Sequence, residues 1–258
     1  MPNWVQNVVE ISGDPVEIKR LVEYVDSKDI TDEDATFDFN RIIPMPKCIE
    51  NTEAGSKNTD AICYYLTNRF FKEPEDCPKL SEVLALDRPF LFGKYSNNAS
   101  LYCERANEYV RRLSSQAERD ELFRYGKQLV ENFDKYGTLD WYSWRCSNWG
   151  TKWNSNDVTR EYDDGADHAK YYFTTAWSMP YGVFEKLVSD FPNLEFHGKY
   201  ADEDMGNNCG AWDGLLGVFS QYEPFDDTPE GALKFACEVW DYDYDDYLRE
   251  YADEDNDG

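Results

Sequence analysis

Two distant stretches of the chain repeat one order of apolar and polar positions. In the first, Val5–Ile11 is rich in Val and Ile and predicts a strand, and Asp14 with Pro15 predicts the start of a helix. The apolar positions of that helix follow helical spacing at Val16, Leu21, Val22 and Val25. Thr36–Ile43 then predicts a second strand, which ends before Pro44. This order predicts a β-α-β unit.

The second stretch lies more than a hundred residues downstream. Lys170–Trp177 predicts a strand with one apolar face, formed by Tyr171, Phe173, Thr175 and Trp177. Ser178 and Pro180 begin a helix whose apolar positions are Val183, Phe184, Leu187 and Val188, and Leu194–Tyr200 alternates again. Two such units predict an α+β class: a ferredoxin-like split β-α-β sheet with a large, mostly helical insertion and an acidic C-terminal helix. We expect residues 1–45 and 161–222 to form this sheet domain.

Residues 46–160 are predicted to form the helical insertion. Ala61 opens the apolar run AICYYLTNRFF, which predicts a buried helix. A later helix has apolar positions at Leu122, Gly126, Leu129, Val130 and Phe133 and ends at Gly137.

The third predicted region, residues 223–258, is an acidic C-terminal helix and tail. Ala211–Tyr222 before it predicts a further strand, at an edge or in a hairpin. Thr228 and Pro229 start a helix, and its apolar positions continue at helical spacing through Trp240, Tyr244, Tyr247 and Tyr251. We expect Trp240, Tyr244 and Tyr247 to hold this segment on the body.

The net charge of the chain indicates which kinds of partner it can bind. The 258 residues carry 52 Asp and Glu against 26 Lys and Arg, a formal net charge of -26. Ten of these acids and one Arg lie in residues 238–258, and the rest of the chain is acidic as well. Such a chain repels nucleic acid and anionic membranes and favours a partner with a basic surface. A solvated acidic face that only aids solubility is the alternative interpretation.

Cysteine and histidine usage argues against a metal centre and a disulfide frame. The seven Cys are scattered without a CxxC pair, and the two His are His168 and His197. We therefore expect reduced thiols, no cofactor and no metal. The N-terminus shows no secretory signal and no apolar run is long enough for a membrane span, which predicts a cytoplasmic location without membrane contact.

Residues 140–153 (DWYSWRCSNWGTKW) form the densest aromatic cluster. Aromatic rings beside Arg and Lys can stack on bases or hold a cation. We favour a structural joint that packs the insertion onto the sheet, with Gly150 in a tight turn. The joint residues are predicted to be Trp144, Asn148, Trp149, Gly150, Thr151 and Trp153.

This run also carries a family resemblance. Residues 140–154 (DWYSWRCSNWGTKWN), then 172–178 (YFTTAWS), 191–196 (FPNLEF), Tyr200 and Gly206 resemble the YubB ferredoxin-like family carried by phages and plasmids. The string Asn-Trp-Gly-Thr-Lys-Trp is its specific part. The resemblance covers most of residues 1–222 and implies a ferredoxin-like fold and a mobile-element origin. It implies no catalytic position, and the acidic segment after Thr228 is expected to lie outside the family pattern.

The sequence favours a non-enzymatic role, with no catalytic residue assigned. It holds no GxSxG, Walker loop or HExxH, and no spacing pairs a Cys with either His. Residues 253–258 (DEDNDG) match the first half of an EF-hand calcium loop, and Asp241, Asp243 and Asp245 repeat the DxDxD spacing. Both lack the Glu of the twelfth loop position, so weak cation association is expected instead of a site.

The predicted function is binding to a host protein. If residues 238–250 formed one helix, six acids would span about 18 Å, near the charge spacing of one DNA strand. These predicted partner-binding residues are Glu238, Asp241, Asp243, Asp245, Asp246 and Glu250. A phage- or plasmid-encoded protein of this kind would bind and inhibit a host nucleic-acid-binding defence protein by DNA mimicry, without contacting nucleic acid directly. The alternatives are a metal-dependent enzyme using clustered carboxylates, an acidic interaction module without mimicry, and nucleic-acid binding through the sheet, which the charge disfavours.

Overall fold

The computed structural model describes residues 3–26, 36–70, 99–226 and 228–252. The chain divides into two compact units. The first contains residues 1–44 and 145–258 and holds the sheet, and the second contains residues 45–144 and is helical in its described part.

Six antiparallel strands form one sheet in the order β2-β3-β1-β4-β5-β6. Their bounds are β1 Trp4–Ser12, β2 Asn156–Glu161, β3 His168–Ala176, β4 Glu195–Asp202, β5 Cys209–Leu215 and β6 Val218–Tyr222. β1 pairs with β3, where Trp4 faces Ala176, and with β4, where Val5 faces Asp202. The prediction that the N-terminal and downstream segments share one sheet is therefore confirmed.

Ten described helices accompany the sheet. They are α1 Pro15–Val25, α2 Phe39–Ile42, α3 Lys47–Glu50, α4 Ser56–Phe70, α5 Ala99–Arg112, α6 Gln116–Tyr136, α7 Trp141–Asn148, α8 Tyr181–Asp190, α9 Pro229–Trp240 and α10 Tyr244–Ala252. In α1, the Asp14 carboxylate accepts a hydrogen bond from the Val16 amide at 2.9 Å and Pro15 occupies the first turn, as predicted. In α8, the four predicted apolar positions are all buried.

One face of the sheet carries an aromatic core. Phe184 of α8 stacks on Trp212 of β5 with ring centroids 4.4 Å apart, and it also contacts Phe173 of β3. Gly198 of β4 makes room for Trp212, because a Cβ at position 198 would lie 1.9 Å from the indole ring. Burial of such large rings contributes favourable free energy to the folding of this unit.

The predicted second strand at Thr36–Ile43 is wrong, since Phe39–Ile42 forms the short helix α2. Asp38 caps it by accepting from the Asn40 amide at 2.9 Å, and the Asn154 side chain accepts from the Phe39 amide at 2.8 Å. Phe37 and Phe39 are fully buried, and Phe37 stacks on Phe173 at 4.9 Å. The apolar alternation at Phe37 and Phe39 suggested a strand. It arises because both rings enter the same core from the capped turn before α2.

A strand is instead formed by residues that the sequence placed in the insertion. β2 pairs with β3, where Thr159 faces Tyr172, and the register shifts by a bulge between Asn156 and Thr159. Residues 145–160 consequently belong to the sheet unit. The C-terminal helices α9 and α10 belong to it as well. The predicted strand Lys170–Trp177 is also one residue too long at its end. Trp177 follows β3 with φ +70° and is 42% exposed, so it is not part of the buried face.

The helical unit contains the predicted helices at Ala61 and Leu122, as α4 and α6. Ser115 and Glu118 form a capping box at the start of α6, and Gly137 ends it in the left-handed conformation at φ +71°. α4 and α6 pack closely where Gly126 meets the Ala61 carbonyl, since a Cβ at position 126 would lie 2.0 Å from that oxygen. The predicted stop signal and apolar spacing are confirmed here. Among the described residues, no helix is both long and apolar enough to cross a bilayer.

Candidate functional site

Helix α9 covers part of the second face of the sheet. Thr228 caps it by accepting from the Gly231 amide at 3.0 Å, and Pro229 follows. Its Phe235, Ala236 and Val239 pack on apolar residues of three central strands, which are Val8, Ala201 and Ala211. The acidic helix is therefore part of the core of the sheet unit.

The helix ends earlier than the sequence predicted. Asp241 lies in the left-handed conformation at φ +58°, and the Tyr242 amide donates to the Cys237 carbonyl at 2.8 Å. Asp243 then accepts from the Asp246 amide at 2.9 Å at the start of α10. Residues 238–250 consequently form the end of one helix, a turn and a second helix, so the prediction of a single 18 Å row of charges is wrong.

All six predicted partner-binding acids are exposed on α9, α10 and the turn between them: Glu238, Asp241, Asp243, Asp245, Asp246 and Glu250. Glu238 pairs with Lys199 of β4 at 2.6 Å, and Asp246 pairs with Arg249 at 2.7 Å. Within the described residues, no salt bridge reaches Asp241, Asp245 or Glu250. We call this surface the acidic helix pair.

Trp240 attaches the acidic helix pair to the sheet. Its indole Nε1 donates to the Ala201 carbonyl at 3.1 Å and to the Asp202 carbonyl at 3.3 Å. Tyr242 stacks between Trp240 and Tyr247, with both centroid distances at 6.3 Å. Tyr244, which the spacing assigned to this stripe, instead lies under the Lys234 ammonium at 5.0 Å. Tyr242 in the turn takes the predicted place of Tyr244.

The rest of this sheet face forms a groove of about 580 Å³ beside the end of α9. Its two lysines are each paired with a carboxylate: Lys170 with Glu10 at 2.8 Å, and Lys199 with Glu238 at 2.6 Å. Next to it, His197 contacts Asp213 at 2.7 Å. The hydrogen bond from Lys170 lowers the pKa of Glu10 below its ordinary value of 4.5. Because a carboxylate neutralises both Lys170 and Lys199, the described residues of this groove offer no free lysine charge for phosphate binding.

Residues 149–151 of the aromatic motif lie near the end of β3. Trp149 is 1% exposed, its Nε1 donates to the Ile43 carbonyl at 3.0 Å, and its ring meets Phe39 edge-on at 5.8 Å. Thr151 Oγ1 donates to the Ala176 carbonyl at 2.8 Å, and Ser178 Oγ donates to the Gly150 carbonyl at 2.5 Å. These bonds tie residues 149–151 to the rest of the sheet unit.

Two glycines near the aromatic motif allow close backbone approaches that a larger residue would block. Gly150 has φ +86°, and a Cβ there would lie 2.9 Å from the Tyr181 amide nitrogen. Asn148 approaches α8 so closely that a Cβ on Gly182 would lie 2.1 Å from the Asn148 carbonyl. Trp144 is buried in the helical unit. Trp153 contacts Trp4 at 5.7 Å and the Lys152 ammonium at 4.6 Å. The function of these residues as a joint stays a prediction.

The described residues contain no group of three His, Cys, Asp or Glu arranged to hold a metal ion. The calcium-like pattern at 253–258 lies outside them. Burial raises the pKa of the Cys209 and Cys237 thiols, which makes both poorer nucleophiles. Of the six predicted acids, Glu238 and Asp241 line the groove beside α9, and the other four lie outside it.

Sequence reasoning missed the β5-β6 hairpin as a candidate surface. Leu216, Val218 and Tyr222 are exposed at the outer edge of the sheet. The available signal was an apolar Leu-Leu-Gly-Val tip without a charge, in a chain that is otherwise rich in charge.

An antiparallel sheet with β-α-β units and helices on its faces defines an α+β protein with a ferredoxin-like domain. Residues 148–243 match the family model described as the ferredoxin-like domain in Api92-like protein. The match includes α9, so the expectation that the segment after Thr228 lies outside the family pattern is wrong for residues 228–243. The matched family is described as Api92-like, and the YubB name does not appear in it.

Among solved structures, the chain is similar to the crystal structure of protein Api92 from Yersinia pseudotuberculosis. The two share 10% sequence identity over 88% of this chain and 100% of that chain, with a TM-score of 0.39. A search of curated proteins found no match.

Proposed function

We propose that this protein binds a host nucleic-acid-binding protein, such as a defence nuclease, and blocks its basic surface. The observation that carries the proposal is the acidic helix pair, with its six exposed acids, on a chain with a net charge of -26. The proposed setting is the bacterial cytoplasm and the proposed origin is a phage or plasmid, which rests on the sequence resemblance alone.

The acidic helix pair is suited to steering a partner. Its exposed acids outnumber its cations, and exposed ion pairs such as that of Asp246 with Arg249 contribute only about 0–1 kcal/mol. A basic partner can therefore displace them at little cost. Charges of this kind act mainly on the rate of association and on its salt dependence.

The attachment of the acidic helix pair to the core also supports a role in partner binding. Because Phe235 and Val239 are buried and Trp240 donates to the sheet backbone, the first of the acids are held on an ordered element. Ordered charges lose less conformational entropy on binding than charges on a loose tail. The break at Asp241 changes the form of the mimicry, since the charges lie on two helix segments instead of along one rod.

The test begins with a pulldown from bacterial lysate at low and high salt, followed by kinetics with the captured protein. The variant D241N/D243N/D245N/D246N removes four negative charges from the acidic helix pair. The matched control E195Q/E203Q/D163N/D204N removes four exposed charges elsewhere on the sheet unit. We expect the first variant to slow association about tenfold at low salt and to flatten the salt slope, with smaller effects on dissociation. The control should change association by less than half as much.

Competition with DNA distinguishes mimicry from a simple acidic module. If the captured partner binds DNA and this protein displaces it, the nucleic-acid surface is the target. If DNA and this protein bind the partner together, the mimicry is wrong and the acidic interaction module remains. Equal association rates for the two four-charge variants would contradict the role of the acidic helix pair.

A further inference from the structure

Strand β6 is one outer edge of the sheet, and in the described part of the chain it pairs only with β5. Its sequence is VFSQY, without a charged residue or a proline. Edge strands usually carry charges, prolines or bulges that prevent pairing with a further strand. The opposite edge, β2, has both a bulge and charged residues. Within the described residues, β6 therefore presents a strand backbone without these protecting features.

Exposed apolar side chains concentrate at the same edge. Nine large apolar side chains are well exposed in the described residues, and five of them lie on the β5-β6 hairpin or next to it. These five are Tyr181, Leu215, Leu216, Val218 and Tyr222. Tyr181 reaches the hairpin through the Phe219 ring at 5.0 Å. A patch of this kind on a highly charged protein is typical of an interaction surface.

The turn between β5 and β6 holds a residue in an unfavourable backbone conformation. Leu216 and Gly217 have φ values of +52° and +78°, as a two-residue turn of type I′ requires. Asn or Gly is preferred at the first of these positions, and a Leu there costs about 1–2 kcal/mol. The Leu216 side chain is also 89% exposed, so it contributes nothing to the core. An exposed apolar residue in a strained position points to a role in a contact outside the chain.

A groove of about 820 Å³ runs beside β6 on the side of helix α8. Tyr181, Val218 and Phe219 give it an apolar wall, and Glu185 contributes a carboxylate. Lys186, the neighbouring cation, pairs with Asp190. In the part of the chain that the structure describes, Glu185 takes part in no salt bridge. The groove thus combines an apolar surface with one available negative charge.

We propose that the β6 edge binds an extended, basic segment of a partner protein as an added seventh strand. Backbone hydrogen bonds to β6 hold the segment. Its apolar side chains cover Leu216 and Val218 on one face of the sheet, and its Lys or Arg side chains lie on the other face, where they meet Tyr181 and Glu185. The net charge of -26 favours a basic segment. It also opposes pairing of two copies of this chain, since both are strongly negative. This surface is separate from the acidic helix pair.

The probe is a short fluorescent peptide that alternates Val with Lys or Arg, bound to the full chain. Two control peptides have Glu in place of the basic residues or N-methyl groups on alternate backbone nitrogens. We expect the basic peptide to bind and to slow hydrogen exchange across residues 218–222. N-methylation should weaken binding at least about tenfold, because it removes backbone donors. Equal binding of the N-methylated peptide, or no protection of β6, would overturn the proposal.

Matched variants localise the site. Leu216→Asn relieves the turn, so the melting temperature should stay or rise while affinity falls about fivefold or more. Val218→Thr should weaken binding, whereas Val16→Thr, at a 73% exposed position of α1, should not. Glu185→Gln should weaken it more than Glu203→Gln, which removes another exposed charge.

Three results would contradict this placement. The first is a Leu216→Asn variant that binds the peptide as tightly as the unchanged protein. The second is loss of peptide binding in the four-Asn variant of the acidic helix pair, which would mean nonspecific adhesion there. The third is a dimer in sedimentation that Val218→Thr abolishes, which would make a second copy the occupant. Failure of the proposed host-protein antagonism would leave all these peptide measurements unchanged.

Discussion

At the scale of single residues, Trp149 shows why the aromatic motif has its particular composition. The indole is buried, donates to the Ile43 carbonyl at 3.0 Å and packs against Phe39. The cation of Arg145 lies 4.9 Å from the same ring. A smaller side chain would leave a cavity and an unsatisfied carbonyl acceptor in the sheet unit.

Trp149→Ala should lower the free energy of unfolding by about 3–5 kcal/mol, as truncation of a buried Trp typically does. Trp153→Ala, at a half-buried position, should cost less. Thermal and urea unfolding measure both effects, with the 42% exposed Trp177→Ala as the control. An unchanged melting curve for Trp149→Ala would contradict the structural interpretation and favour a ligand site.

At the scale of elements, the junction of α9 and α10 depends on Asp241. The apolar spacing from Leu233 to Tyr251 fits one continuous helix, yet the chain turns at a left-handed residue. The turn allows Trp240 to reach the Ala201 carbonyl while Tyr242 stacks on its ring. These tertiary contacts outweigh the loss of a few helical hydrogen bonds.

Substitutions at Asp241 test this junction. Asp241→Ala should destabilise the protein by about 1 kcal/mol, because Ala is strained at positive φ, whereas Asp241→Gly should be neutral or stabilising. If residue 241 lay inside a continuous helix, the Ala variant would be the more stable of the two, since Gly destabilises a helix interior by about 1 kcal/mol relative to Ala. Urea unfolding measures the stability of the two variants. An Ala variant more stable than the Gly variant would contradict the helix break at Asp241.

The ion pair between β1 and β3 gives a pH dependence. Lys170 lowers the pKa of Glu10, so the pair stabilises the folded state above pH 4.5, and this contribution disappears as pH falls through the lowered pKa. Because the Glu10 side chain is 57% exposed, the contribution is under about 1 kcal/mol. In urea unfolding, Glu10→Gln should therefore be less stable than the unchanged protein at pH 7, and this difference should vanish as the pH falls below the lowered pKa of Glu10. A difference that is constant with pH would contradict the pairing.

At the scale of the whole molecule, the net charge of the chain affects its stability. A net charge of -26 places many like charges within a Debye length of each other at low salt. Their repulsion acts against the compact state.

Raising NaCl from about 10 mM to about 1 M should therefore raise the melting temperature at pH 7, because the Debye length falls from about 30 Å to about 3 Å. The matched control is the same titration near pH 4.3, the sequence isoelectric point, where the effect should be small. An equal rise at both pH values would assign the effect to hydrophobic salting-out instead of charge screening.

The sequence alone determined the elements whose signals are local. Asp14 with Pro15 and the capping residues of α6 specify helix ends through neighbouring backbone groups, and the period of the apolar residues specifies β1, β3, β4 and α8. The acidic character of the candidate surface also follows from composition. None of these depends on a distant residue, so a linear pattern is sufficient to find them.

Tertiary structure decided what depends on distant partners. Asn154 and the ring of Phe173 turn the alternating segment at Phe37–Phe39 into a cap and a short helix, and the pairing with β3 makes a strand of Asn156–Glu161. The unprotected β6 edge and the contact of Gly198 with Trp212 likewise exist only once the strand order is set. The physical reason is that the free energy of these contacts comes from burial between segments far apart in sequence, which local propensity does not encode.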